Sequence, residues 1–82
     1  MTKGEVYVTK NEQHRFVLGY TPNGEVAFAT RGRDVTPDYN SCQIQSEDTF
    51  TSECSFDFMS NDSEIKRVME KFTNYITAKG IK

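Results

Sequence analysis

The chain reads as an α+β domain: an antiparallel sheet of four to five strands, a meander, with one C-terminal helix packed on one face. Three observations predict it. Apolar and polar residues alternate in successive short runs as far as residue 58, the period of a half-buried strand. Turn-forming residues separate those runs. From residue 62 onward the apolar spacing lengthens to three and four, the period of one helix face.

Residues 4–10, GEVYVTK, give the first strand, with Val6 and Val8 on one side. Residues 15–20, RFVLGY, give the second, with Phe16, Leu18 and Tyr20 on one face and Arg15, Val17 and Gly19 on the other. A glycine inside such a run marks a bulge or a close backbone approach. Thr21-Pro22-Asn23-Gly24 is the strongest turn signal in the chain, because proline presets φ and Asn-Gly tolerates positive φ. Residues 25–31, EVAFATR, complete an antiparallel hairpin. Residues 31–41 are rich in loop formers, and long loops often carry function.

The next stretch, CQIQSEDTFTSECSFDFM, places Cys42, Ile44, Phe50, Cys54, Phe56 and Phe58 at even positions and mostly polar or acidic residues at odd ones. Fully extended at about 3.3 Å per residue, the 17 residues from Cys42 to Phe58 would reach about 56 Å. A domain of this length has a radius of gyration of about 12 Å. The stretch therefore has to fold back, and Ser46-Glu47-Asp48-Thr49 is its most turn-like piece. Strands at 42–46 and 50–58 are expected, and keeping the even face inside requires an odd-numbered loop with Ile44 opposite Phe50. Residues 62–79 form the helix, with Ile65, Val68, Met69, Phe72 and Ile76 as its stripe. Asn61 caps it and Gly80 ends it. That stripe is expected to meet Phe16, Leu18, Val26, Phe28, Phe50, Phe56 and Phe58, leaving the other sheet face wet.

Eighty-two residues make one small domain. The opening MTKGEVYVTK has no apolar signal-peptide core, and no apolar run approaches the roughly 18 residues of a membrane span. Cys42 and Cys54 are too few for a disulfide framework, so the expectation is a cytoplasmic protein with reduced thiols. Charge is unevenly spread. Residues 1–33 carry net +2, residues 34–64 carry eight acids and no Lys or Arg, and residues 65–82 carry net +4.

Catalysis finds little support. The single histidine, His14, lies in a polar connection, and both cysteines fall on the core face, where a thiol acts as a small hydrophobe. Soft ligands are too few and scattered for zinc, the calcium-loop spacing is absent, and no glycine-rich phosphate loop occurs. No enzyme, metal or cofactor is expected. The leading expectation is a protein-binding module, an inhibitor or regulator, acting through an acidic sheet face. Glu47, Glu53 and Asp57 would form that face, with Arg31, Arg33 and Tyr39 contributing from the loop. In size and charge the chain is analogous to small regulators encoded by phages and mobile elements. The alternative is nucleic-acid binding through Arg31, Arg33 and the basic helix face of Lys66, Arg67 and Lys71. A third reading is self-association, a homodimer formed through an exposed edge strand.

Overall fold

A computed structural model describes residues 1–32 and 38–82. Among them, β1 (Glu5–Thr9), β2 (His14–Tyr20), β3 (Val26–Arg31), β4 (Ser41–Gln45) and β5 (Cys54–Met59) form one sheet. Its order is β4-β3-β2-β1-β5, and each neighbouring pair is antiparallel. The first four strands are the expected meander. The last crosses from one edge of the sheet to the other.

The two hairpin turns are built alike. In the first, Thr9 N–H donates to Gln13 O, Glu12 N–H to Thr9 O, and Gln13 N–H to the Thr9 hydroxyl. In the second, Thr21, Gly24 and Glu25 repeat the set. Gly24 takes φ 80° at the left-handed position, and Glu12 takes φ 64° at its equivalent. Gly19 serves both roles its place in the strand suggests. The β2–β3 register slips between Val17 and Gly19, and a Cβ on Gly19 would stand 2.6 Å from the Lys82 carbonyl oxygen.

The crossing element is the main departure from the expected fold. Residues 47–53 are not a turn followed by strand. They form a helix, α1 (Glu47–Glu53), and the strand begins only at Cys54. Ser46 caps α1, its hydroxyl accepting from Thr49 N–H at 3.2 Å. Glu47 and Asp48 sit in the first turn, where the helix dipole favours acids. Phe50 is the one buried side chain of α1. It enters a core of Val17, Val26 and Phe28, packed against Tyr7, Tyr20 and Cys54. The face expected to be wet is therefore covered by α1.

Arg15 closes this layer. Its guanidinium is buried, 4.8 Å from the Phe28 ring centre and 5.7 Å from that of Phe50. Nε donates to Gln13 at 2.8 Å, one terminal nitrogen donates to Gln45 at 3.2 Å, and the other meets Glu53 at 3.0 Å. A buried cation is tolerated only when its donors are satisfied. Here the β1–β2 turn, β4 and the end of α1 each supply an acceptor.

The opposite face holds Val6, Phe16, Leu18, Ala27, Ala29 and Tyr39. It packs under α2 (Asp62–Lys71) and α3 (Thr73–Lys79). The expected single helix is thus two segments. The Thr73 hydroxyl bonds back to the Met69 and Glu70 carbonyls at 3.0 and 2.9 Å, competing with the backbone ladder where Phe72 departs from helical geometry. Asn61 caps α2 as expected, accepting from Glu64 N–H at 2.8 Å. Gly80, at φ 65°, ends α3 as expected, and Ile81 N–H reaches back to Ile76 O at 3.0 Å.

Candidate functional site

β5 lies at a sheet edge, so one side of its backbone is left without a strand partner. Its pairing with β1 contains a second slip. Val6 stands opposite Phe58, while Tyr7 stands opposite Phe56, leaving Asp57 as the extra residue. Cross-strand partners share a face. Phe56 therefore lies with Tyr7 on the α1 side, their rings 5.7 Å apart and nearly perpendicular. Phe58 lies with Val6 on the α2 side. The even-position rule expects both rings on one buried floor beneath the helix. The bulge sends them to opposite faces, and neither is buried.

Among the described residues, the exposed large hydrophobic side chains are Phe56, Phe58 and Met59, at 53%, 41% and 48% exposure. All three belong to β5. An open backbone edge flanked by exposed aromatic rings on both faces is the chemistry of strand addition, in which an extended segment bonds to the edge and buries its side chains beside it. Sequence alternation marks Phe56 and Phe58 as core. The overlooked signal was in the same stretch: Ser46, Asp48 and Ser52 are polar at even positions, which breaks the period where α1 forms.

The acidic sheet face does not exist as a sheet face. Glu47 and Glu53 are on α1, at opposite ends. Glu47 faces the Tyr20 hydroxyl. Glu53 accepts from Gln45 at 3.0 Å and from Arg15, and these hydrogen bonds hold its carboxyl below the usual glutamate range. Asp57 sits at the bulge, 3.6 Å from His14 Nε2. Tyr39 is a core residue, 2% exposed, its ring 5.3 Å from that of Phe16. Arg31 ends β3 with its guanidinium 5.3 Å from the Tyr39 ring centre. Arg33 lies outside the described residues.

The cations of the basic helix face are largely engaged. Arg67 bonds Glu64 at 2.6 Å and Asp38 at 2.8 Å, and Lys71 Nζ donates to the Tyr39 carbonyl. The cysteines stand at opposite edges and on opposite faces, Cys42 packed under α2 and α3 and Cys54 beside Phe50, so they cannot pair within one chain. Burial pushes the Cys42 thiol up to about 11 and the Cys54 thiol upward as well, which keeps both poor nucleophiles at neutral pH. No helix among the described residues is long and apolar enough to cross a membrane. No group of three or more His, Cys, Asp or Glu among them is placed to hold a metal ion.

Next to the edge lies a cleft of about 360 Å³, walled by Arg31, Tyr39, Phe58, Met59, Ser60 and Glu64. Three buried side-chain polar atoms among the described residues have no protein partner: His14 Nδ1, Arg31 Nε and Ser60 Oγ. Two of the three belong to this cleft. No protein-family model, curated protein or solved structure matches the chain.

Proposed function

We propose that this chain is a protein-binding module that takes an extended segment of another protein as a sixth strand against β5. One observation carries the reading: the exposed large hydrophobics among the described residues lie together on a strand with no strand partner on its outer side. Phe56 and Phe58 would clasp the added strand from either face, and the free backbone groups of β5 would supply the hydrogen bonds. Asp57 disfavours flat stacking of identical copies, since a charged bulge on an edge is a guard against self-pairing.

The test is backbone amide NMR during titration with short peptides of alternating valine and threonine. Binding should shift the amides of residues 54–59 and leave those of residues 41–45 unmoved. Shifts confined to β4 or to the helices would dispose of the reading. In Phe56→Ser/Phe58→Ser the β5 shifts should vanish while the remaining spectrum stays folded.

A further inference from the structure

The cleft beside Met59 differs in kind from the larger polar groove around Arg15. That groove, about 530 Å³, is lined by Lys10, Gln13, Arg15 and Glu53. Its buried guanidinium already serves acceptors on Gln13, Gln45 and Glu53. In the Met59 cleft the guanidinium of Arg31 leans on the Tyr39 ring, and its Nε has no protein acceptor. Ser60, 7% exposed, lines the same cleft, and its hydroxyl is also unpartnered. A buried donor left unsatisfied is costly, and a ligand that accepts from it recovers that cost. Phe58 and Met59 supply an apolar shelf beside both donors.

We propose that this cleft receives a carboxylate carried by the docked segment, with Arg31 as its cation and Ser60 as its hydroxyl donor. The inference rests on the strand-addition reading above and names a residue class that the added strand must carry. Charge complementarity sets that class. The described acids nearby are engaged: Glu64 and Asp38 with Arg67, and Asp57 beside His14. One guanidinium with one hydroxyl matches a single negative charge. The partner is a different protein rather than a second copy. The acid a second β5 would bring, Asp57, faces His14, and Glu53 just before it bonds Arg15 and Gln45 within its own chain.

The experiment repeats the peptide titration with Glu, Gln or Lys moved along the valine–threonine frame, and reads the Arg31 Nε–Hε and Ser60 amide signals. At one position Glu should bind about tenfold or more tighter than Gln, the scale of a charge-assisted hydrogen bond. Arg31→Gln should erase that preference. Arg31→Lys should keep part of it, because charge survives while the planar fork is lost. Ser60→Ala is the second variant. It removes an unpartnered buried hydroxyl, so the fold should hold while the Glu preference shrinks. Equal binding of Glu and Gln peptides, with Arg31→Gln indistinguishable from the parent, would mean a cleft filled by water only. It would overturn this inference and leave strand addition standing. Absence of β5 shifts with every peptide would overturn both.

Discussion

β4 and β5 bound the same sheet, yet their side chains do opposite things there. β4 turns its apolar residues, Cys42 and Ile44, inward under the helices. Its polar residues are tied to the opposite face: Ser41 to the Thr30 hydroxyl at 2.6 Å, and Gln45 to Arg15 and Glu53. β5 instead holds its aromatic rings half in water, and its one acid sits in a bulge. Both edges leave backbone groups open, so backbone chemistry alone does not choose between them. Side chains do. An edge whose polar side chains are already hydrogen-bonded gains little from a partner, whereas exposed phenylalanine gains the transfer energy of leaving water.

The largest expected effect on this contrast comes from the element joining the two edges. Phe50→Ala should cost about 3–5 kcal/mol, the range for a buried aromatic truncated in a core, read as a lower urea midpoint. Its loss should also raise amide exchange in β5 more than in β3, because α1 anchors the path from one edge to the other. Ser46→Ala, which removes only the cap of α1, should cost about 1 kcal/mol by the same measurement. Phe56→Ser should cost less than about 1 kcal/mol, since about half of the ring already lies in water. If Phe56→Ser instead destabilises as strongly as Phe50→Ala, Phe56 is core and the contrast between edges collapses.

The smallest effect is a pH dependence. Glu53 has its carboxyl lowered by hydrogen bonds from Gln45 and Arg15. A depressed acid stabilises the fold above its unfolded value, about 4.3 for glutamate, and that contribution fades as pH falls through the lower folded value. Stability plotted against pH should thus show a shallower acid limb in Glu53→Gln than in the parent. Coincident limbs would mean that the Arg15 cluster is held by its glutamines alone.

The fold class, the meander, both helix caps and the two roles of Gly19 were legible in sequence because each rests on local chemistry. Period-two alternation, a turn with Asn-Gly, and glycine in an otherwise apolar strand all act within a few residues. The exposed edge at β5 was not legible for the same reason. Phe56 and Phe58 share parity, and parity predicts a shared face unless an extra residue intervenes. Asp57 is that residue, but a bulge is visible only against the partner strand. Arg15 likewise reads as a surface cation in a strand. Its burial depends on Phe50, Gln45 and Glu53, which the chain delivers from far along the sequence. Only the cap-like Ser46-Glu47-Asp48 and the polar residues at even positions gave a local hint that α1 interrupts the strand pattern.

The strand order carries a further consequence, for assembly. β1 to β4 each pair with the strand next to them in sequence, so the meander closes through connections between sequence neighbours. β5 pairs with β1, joining Met59 to Glu5, and must wait for the longest loop in the sheet to close. Until it does, β1 is the open edge and Val6 lacks its neighbour Phe58. Any other strand able to lie against β1 competes at that stage, including β5 of a second chain. α1 would then be the hinge across which two copies exchange β5. Refolding at rising concentration is where such exchanged pairs would collect, with the Phe56–Tyr7 contact rebuilt between chains rather than within one.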